Sequence, residues 1–234
     1  MNTARIIAVT RPLSNISKIY DKEDNPDAFR LMSVDEFIAY VARVSNPSNQ
    51  NNTLTANKLL RYLAKHKHWS PFEMVNIVME INTTRDIARQ ILRHRSFAFQ
   101  EFSQRYADPT QDLGFIENRE ARLQDIKNRQ NSIEAKDAAL QQQWESYQRD
   151  VIRKVTAAYQ WAAENGIAKE QARSVLPEGL TNSRMYMNGT LRSWIHYCQL
   201  RMGVETQKEH REIAQDAWYQ ITEQFPSLKD ALDI

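Results

Sequence analysis

Residues 74–106 read MVNIVMEINTTRDIARQILRHRSFAFQEFSQRY, and three kinds of pattern follow one another within them. Apolar residues at alternate positions predict a strand over residues 74–82. Apolar residues at helical spacing then predict a helix, with Thr83 and Asp86 as its capping pair. Large apolar side chains alternate again over residues 97–102, which predicts an extended segment. The predicted fold is therefore centred on a strand, a helix and an extended segment in direct succession.

The end of this helix is followed by a set of polar residues that core packing does not explain, namely Arg93, His94, Arg95, Glu101, Ser103 and Arg105. Charged side chains are rarely buried unless they are paired. Cations placed among phenylalanines therefore need either water or an anionic partner, and a phosphate group would supply one. Arg85 and Arg89 lie on the same helix face as Arg93, and a solvated helix face is the alternative interpretation for those two.

The rest of the chain is mostly helical in its pattern. A strand is predicted from Arg5 to Thr10, a helix after the Ser33–Glu36 capping box, a polar loop from Asn46 to Asn52, and a helix that ends at the segment His66 to Pro71. Further helices are predicted from Leu140 to Ala162 before Gly166, up to Pro177, from Asn188 to Met202, and after Thr206 with Glu209 as its capping pair. Residues 107–135 carry no clear pattern. Early strands and a helical majority predict an α+β fold, a helix-rich single domain over residues 1–234 with a small, mostly antiparallel sheet.

Composition limits the classes of protein that fit. The chain has 234 residues, a net charge of +2, five glycines and one cysteine, Cys198. A near-neutral charge gives no strong drive toward nucleic acid or membranes, and the sequence contains no glycine-rich phosphate loop. With one cysteine and no apolar leader or span, a soluble, intracellular, cytoplasmic protein is expected. His66 and His68 lack further ligands at metal spacing, so no metal site is expected.

The spacing Arg93-His94-Arg95, seven residues, then Ser103 resembles the signature of the flavin-dependent thymidylate synthases. The resemblance spans roughly residues 60 to 215 and includes the upstream run His68-x-Ser70-Pro71-Phe72-Glu73. Downstream it includes Arg173 to Pro177, Leu191-Arg192-Ser193 and Leu200-Arg201. The resemblance implies an α+β fold and a homotetramer with flavin sites at subunit interfaces.

The implied activity is the reductive methylation of dUMP to dTMP. Methylenetetrahydrofolate would be the one-carbon donor, and FAD reduced by NADPH would carry the hydride. By resemblance, the cofactor-binding residues are His68, Ser70, Glu73, Arg93, His94, Arg95, Glu101, Thr190, Arg192 and His196. The residues around dUMP are Gln90, Arg93, Glu101, Ser103, Gln104, Arg105, Arg173 and Arg201, with Arg105 and Arg173 as phosphate or ring clamps. Arg201 takes the catalytic role, because the family's matching arginine favours the ionised uracil.

Helical geometry adds an independent observation on three of these residues. Arg192 and His196 share one face of their helix, opposite Leu191, Trp194, Ile195 and Cys198, so that face is available to a cofactor, with ordinary surface polarity as the alternative. Arg201 falls on the apolar flank near Trp194, where a cation needs a partner or a ligand. Ser103 lacks an evident activating base, so it is interpreted as a hydrogen-bonding residue and not as a nucleophile.

Three positions depart from the family pattern. Gln100 and Thr190 stand where many relatives have asparagine, and Glu205 stands where some have histidine.

Two other classes of function compete with the enzyme. A nucleic-acid-binding module would use arginines on phosphates and would stack bases on Phe97, Phe99, Phe102 and Tyr106. A helical interaction scaffold would need only the amphipathic helix at 140–162.

Overall fold

The computed structural model describes residues 2–13, 18–20, 29–115, 118–229 and 231–232. The strands are β1 (Thr3–Val9), β2 (Lys18–Tyr20), β3 (Phe29–Leu31), β4 (Asn76–Thr84), β5 (Ala98–Glu101), β6 (Arg122–Gln124), β7 (Ser132–Glu134) and β8 (Asn182–Thr190). The helices are α1 (Val34–Ala42), α2 (Ala56–Lys65), α3 (Arg85–Ile91), α4 (Pro109–Asp112), α5 (Ala138–Glu164), α6 (Lys169–Ala172), α7 (Leu191–Arg201), α8 (Lys208–Gln224) and α9 (Pro226–Lys229). Short 3-10 turns occur at Pro47–Asn49, Ser70–Met74 and Arg173–Val175. The architecture is α+β, as the sequence predicts.

One antiparallel sheet, in the strand order β1-β4-β8-β5, forms the centre of the fold. Its inner face is fully buried at Ile77, Met79 and Ile81 of β4 and at Met185 and Met187 of β8. The outer face carries polar side chains, in accord with the period of two along each strand. Two separate hairpins, β2–β3 and β6–β7, are also antiparallel.

Helix α7 packs on the inner face of this sheet and begins directly where β8 ends. Trp194 is fully buried, and its indole Nε1–H donates to the carbonyl of Ile77 at 3.1 Å. The Leu191 N–H donates to the Val75 carbonyl at 2.7 Å, so the sheet ladder continues into the first turn of the helix. This junction fixes the rotation of α7 about its axis, and so decides which side chains face outward.

Several predicted elements are confirmed. The Ser33–Glu36 capping box is present at the start of α1. The first strand and the strand at 74–82 form as β1 and β4, each displaced by about two residues, and the extended segment at 97–102 forms as β5. The long amphipathic helix forms as α5 and is followed by Gly166 at a φ of +72°, a conformation that favours glycine after a helix.

Three predictions about element ends are wrong. The helix predicted from Asn188 begins only at Leu191, because Asn182–Thr190 forms β8. The N-cap of α3 is Thr84, since the Thr83 hydroxyl donates to Asn2 instead, at 2.8 Å. The N-cap of α8 is Gln207, and Thr206 Oγ1 is buried with no hydrogen-bond partner in the described part of the chain.

The described residues between 107 and 135 include α4 and the β6–β7 hairpin, neither of which is predicted from the sequence. Helix α5 follows, and of its residues only Gln148, Tyr159 and Ala162 are buried. Its apolar positions Leu140, Trp144, Tyr147 and Val151 remain exposed. Within the described residues, no helix combines the length and the apolar character that a membrane crossing requires.

Gly189 provides a test of the packing beneath β5. A Cβ atom at this buried position would lie 2.5 Å from Cε1 of Phe97, a ring that packs on the core. We expect Gly189→Ala to lower the free energy of unfolding by about 1–3 kcal/mol, the usual cost of overpacking. Urea denaturation measures this change. Gly179→Ala is the control, because its nearest neighbour would be Arg119 Nη1 at 3.9 Å, and an equal loss in both variants would contradict the packing argument.

Candidate active site

Helix α7 divides into the two faces that its sequence predicts. Arg192 and His196 are half-buried on the outer face, whereas Leu191, Trp194, Ile195 and Cys198 are fully buried. Burial raises the pKa of the Cys198 thiol, so this cysteine is an uncharged core residue. The functional candidates therefore gather along the exposed side and at the C-terminal end of α7.

A first group, the turn cluster, forms where the Ser70–Met74 turn meets the N-terminal half of α7. Arg192 Nη1 donates to the carboxylate of Glu73, and the ring of His196 lies edge-on to Trp69 with centroids 5.0 Å apart. Burial, and then the Arg192 cation, lower the pKa of His196, with Glu73 acting in the opposite sense. His68 and Ser70 are exposed beside this group. Five predicted cofactor residues therefore lie on or beside two elements of the fold.

A second group, the helix-end cluster, surrounds Arg201. The Arg201 Nε–H donates to Nε2 of His94 at 2.9 Å, so that ring nitrogen carries no proton. Burial, Arg201 and Arg93 together lower the pKa of His94 to about 4, which keeps the imidazole neutral at neutral pH. In the described part of the chain, the terminal nitrogens of Arg201 have no hydrogen-bond partner. The guanidinium is thus held at one edge while its other donors remain available.

A third group, the Glu170 cluster, brings together the two arginines predicted as clamps. Arg105 Nη2 lies 3.4 Å from the Glu170 carboxylate, and Arg173 Nε donates to the Glu170 carbonyl at 3.3 Å. Gln104 is buried, and its Nε2 has no hydrogen-bond partner in the residues that the structure describes. A buried amide donor without an acceptor is costly and is suited to a ligand oxygen.

Glu101 has partners within the chain. The Ser183 hydroxyl donates to it at 2.7 Å, and Arg85 Nη1 lies 3.4 Å from the same oxygen. The side chain of Arg85 is only 13% exposed, so a solvated face is the wrong interpretation for it. Arg89 is exposed, but it pairs with Glu178 at 2.6 Å.

The remaining signature residues, Arg93, Arg95 and Ser103, have fewer contacts with other side chains than Glu101 has. Arg93 and Arg95 are exposed, and neither forms an ion pair with another described residue. Ser103 Oγ accepts from the Arg105 N–H at 3.4 Å, and no base that could activate the hydroxyl contacts it in the described residues. The geometry therefore supports a binding role for Ser103 over a nucleophilic role.

Two of the departures from the family pattern have local partners. The Thr190 hydroxyl caps α7, accepting from the Ser193 N–H at 3.2 Å and donating to Ser193 Oγ at 3.1 Å. The Glu205 carboxylate folds over Gly203, so closely that a Cβ there would collide with it. Gln100 is exposed on β5.

Phe97 and Phe99 of the signature pack on the core, and Phe102 is half-buried. The Phe97 ring lies edge-on to Trp194, with centroids 4.9 Å apart, and Phe99 is 6.3 Å from Phe97. Only Tyr106, at 84% exposed, has the accessibility of a stacking residue. A base-stacking platform would expose these rings, so this packing disfavours the nucleic-acid-binding hypothesis.

Two cavities among the described residues do not unite the three clusters. Cavities of about 870 Å³ and about 670 Å³ lie among the described residues, but neither is lined by a residue of 93–106. Local patterns do not predict a group of hydrogen-bonded residues beside the helix-end cluster, comprising the buried Tyr197, Glu209 and His210 and the half-buried Gln207. Capping patterns drew attention to Glu209, but nothing in the local sequence indicates that these side chains contact one another.

Comparison with known proteins identifies the chain's relatives. Residues 30–227 match the family model described as thymidylate synthase complementing protein. The chain is 43% identical over 231 residues to the probable flavin-dependent thymidylate synthase of Paramecium bursaria Chlorella virus 1, a match that covers 99% of both chains. It is 48% identical over 202 residues to the flavin-dependent thymidylate synthase of Synechocystis sp., covering 86% of this chain and 91% of that protein.

A solved structure agrees with the fold. A UMP/dUMP methylase, PolB from Streptomyces cacaoi, bound with 5-Br dUMP, superposes with a TM-score of 0.76 at 23% identity, covering 99% of this chain and 94% of that one. This structural match shows a similar fold, whereas the sequence matches show which family the chain belongs to. The expectation drawn from the signature is thus confirmed, and the chain belongs to the thymidylate synthase complementing protein family of flavin-dependent thymidylate synthases.

Proposed function

We propose that this protein converts dUMP to dTMP, with methylenetetrahydrofolate as one-carbon donor and FAD reduced by NADPH. The observation that carries the proposal is the pairing of Arg201 with His94 of the signature, in a chain 43% identical over 231 residues to a probable flavin-dependent thymidylate synthase. In the balanced reaction, dUMP, methylenetetrahydrofolate, NADPH and a proton give dTMP, tetrahydrofolate and NADP⁺. Carbon 5 of the uracil gains a methyl group in place of its hydrogen.

The donor set fits a flavin dinucleotide. Arg93 and Arg95 are exposed cations without ion pairs in the described residues, and guanidinium groups bind the oxygens of a pyrophosphate in a bidentate manner. The turn cluster adds Arg192, the neutral His196 and the Trp69 ring. Their hydrogen-bonding groups and aromatic surface suit a planar ring system that carries polar atoms at its edge. Bound flavin in its reduced state supplies the hydride, while the protein binds and orients the reacting rings.

The Glu170 cluster suits the phosphate of the nucleotide. Arg105 and Glu170 are 60% and 51% exposed at a separation of 3.4 Å, an ion pair of the weak surface class. A dianionic phosphate attracts Arg105 and Arg173 more strongly than one carboxylate does. The unpartnered amide donor of Gln104 lies in the same segment as Arg105, so we assign this group to dUMP.

Arg201 suits the uracil ring. Reaction at carbon 5 places negative charge on the ring oxygens, and a preorganised guanidinium stabilises that charge. Because a neutral histidine holds Arg201, no carboxylate neutralises its charge on that side. The terminal nitrogens that lack partners in the described residues are the donors available to the ring.

We also propose the homotetramer, with sites completed at subunit interfaces. The apolar stripe Leu140, Trp144, Tyr147 and Val151 on α5 is exposed in the single chain. Contiguous exposed apolar surface of this kind marks an interaction site. The absence of signature residues from the two cavities described above agrees with a site that a neighbouring subunit completes. The single-domain organisation and the cytoplasmic location stay predictions.

Arg201 is tested by two substitutions. We expect Arg201→Ala to retain FAD and to lower dTMP formation about 10²–10³-fold, the usual loss on removal of one charge-stabilising donor. Arg201→Lys keeps the charge but loses the Nε–H that meets His94, so it should recover only part of the activity. Chromatographic detection of dTMP with all co-substrates present measures both. Full activity in Arg201→Ala would remove this residue from the mechanism.

Ser103 is tested by removing its hydroxyl. We expect Ser103→Ala to weaken dUMP binding while turnover persists at saturating dUMP, because the hydroxyl binds the nucleotide and does not attack it. Steady-state kinetics separate the two effects as a raised KM and a retained kcat. Complete loss of turnover with undiminished dUMP binding would restore the nucleophile interpretation.

A charged substitution tests the exposed apolar stripe on α5 as a subunit interface. We expect Tyr147→Glu to shift the protein from a tetramer to smaller species, because a carboxylate placed in an apolar interface must be desolvated without a partner. Size-exclusion chromatography with light scattering measures the mass. Tyr219→Glu on α8 is the matched control, as Tyr219 and Tyr147 are 58% and 60% exposed. An unchanged mass for Tyr147→Glu would exclude this face as the interface.

A further inference from the structure

A continuous series of hydrogen bonds, half-buried at Gln207 and Gln90 and fully buried at His210, lies behind the helix-end cluster, in residues that are not predicted to bind the cofactor or to catalyse the reaction. We call it the Glu209 chain. Gln207 Nε2 donates to Glu209 at 3.0 Å, and Gln90 Nε2 donates to Gln207 Oε1 at 2.8 Å. His210 Nδ1 lies 3.4 Å from Gln90 Oε1, and His210 Nε2 lies 3.1 Å from the Tyr197 hydroxyl. Arg122 donates to the other oxygen of Glu209.

The carboxylate at one end determines every donor along the chain. A carboxylate only accepts, so the side chain of Gln207 must point its amide nitrogen at Glu209 and its oxygen at Gln90. Gln90 must then point its nitrogen at Gln207 and its oxygen at His210. His210 must therefore carry its proton on Nδ1 and accept from the Tyr197 hydroxyl at Nε2.

Burial makes this arrangement hard to reverse. His210 and Tyr197 are almost fully buried, and Glu209 is 9% exposed. Gln90 and Gln207 are half-buried. Reversing either amide would bring donor against donor or acceptor against acceptor, and at the fully buried His210 end no water can intervene. Burial, Arg201 and His94 lower the pKa of His210 to about 3, which keeps its ring neutral, with one donor and one acceptor nitrogen. Burial would raise the pKa of Glu209, but the hydrogen bonds from Arg122, its own backbone and Gln207 lower it, so the carboxylate stays ionised.

The chain touches the proposed site at two points. Its Gln90 is one of the residues expected around dUMP. Its Tyr197 packs edge-on to His94, with ring centroids 5.0 Å apart, and His94 holds Arg201. Gln90 uses one N–H and one lone pair inside the chain, which leaves one N–H and one lone pair in a fixed order.

We propose that the Glu209 chain fixes the amide orientation of Gln90 and thereby selects uracil over cytosine, while Tyr197 at its far end positions His94 and Arg201. This inference rests on the proposed function. Uracil offers an N3–H donor beside the carbonyl at carbon 4, which matches an oxygen and an N–H in that order. Cytosine offers the reverse, an acceptor at N3 and an amino group at carbon 4. Gln90 would have to flip to pair with cytosine, and the chain prevents that flip.

Gln207→Met provides the direct test. Methionine has a similar volume and removes the amide relay between Glu209 and Gln90, and Gln207 itself is only half-buried at the N-cap of α8 with no capping bond from its side chain. Titration calorimetry of dUMP and dCMP with the FAD-loaded protein measures the ratio of their dissociation constants. We expect this ratio to fall about tenfold, the equivalent of one hydrogen-bonding constraint. Thr222→Val, a buried hydroxyl on the same helix outside the chain, should leave the ratio unchanged.

Tyr197→Phe tests the far end and retains the ring. We expect kcat for dTMP formation to fall while the dissociation constant of dUMP changes little, since only the hydroxyl that orients the ring is lost. NMR of ¹⁵N-histidine in the intact protein should show His210 as the Nδ1–H tautomer. An Nε2–H tautomer would overturn the assigned direction of the chain.

The outcomes separate the two proposals. A wild-type protein that binds dUMP and discriminates against dCMP, with a Gln207→Met variant that keeps the same ratio, overturns the role of the Glu209 chain and leaves the proposed function intact. Equal weakening of both nucleotides in Gln207→Met also overturns it, because that result indicates general disruption. A wild-type protein that fails to bind dUMP overturns the proposed function and this inference together.

Discussion

The position of helix α7 is the constraint on which the rest of the site depends. The antiparallel pairing of β4 with β8 buries one face of the sheet, and the bond from Leu191 to Val75 carries that pairing into the first turn of α7. Trp194, fully buried and bonded to the Ile77 carbonyl, then holds the helix against the sheet. With this rotation fixed, Arg192 meets Glu73 at one end of α7 and Arg201 meets His94 at the other. One helix thus spaces the turn cluster from the helix-end cluster, and the distance between them follows from its length.

Electrostatics separates the arginines whose charges are neutralised within the chain from those that have no carboxylate partner among the described residues. Arg85 and Arg122 are largely buried and bonded to carboxylates, so their charges are neutralised within the chain. Arg93 and Arg95 are exposed without such partners among the described residues, and Arg201 is held by a neutral ring. A carboxylate at these positions would compete with an anionic ligand for the same donors. Burial, by lowering the pKa of His94, lets the histidine accept from Arg201 without adding a second positive charge.

The sequence was informative where short-range patterns carry the signal, as in the Ser33–Glu36 capping box, the alternation in β4 and the amphipathic period of α5. It failed on β8, where Met185 and Met187 do alternate inward but stand among asparagine, serine and glycine, residues that disfavour strands. The cap of α3 was displaced by one residue because Thr83 is engaged by Asn2, a contact across 81 positions. The signature located the candidate site, since motif residues lie close together along the chain.

The residues that contact and support the motif residues could not be predicted from local sequence patterns. Gln90 and His210 are separated by 120 positions and Gln90 and Gln207 by 117, so no short window of sequence contains all members of the Glu209 chain. A lone histidine or glutamine on a helix indicates nothing until packing gives it a neighbour. Once packing is known, one carboxylate determines the direction of every hydrogen bond that follows, because it accepts hydrogen bonds and cannot donate them. Candidate ligand-binding residues can therefore be proposed from local pattern, whereas the residues that contact and support them follow from long-range packing and the rules of hydrogen bonding.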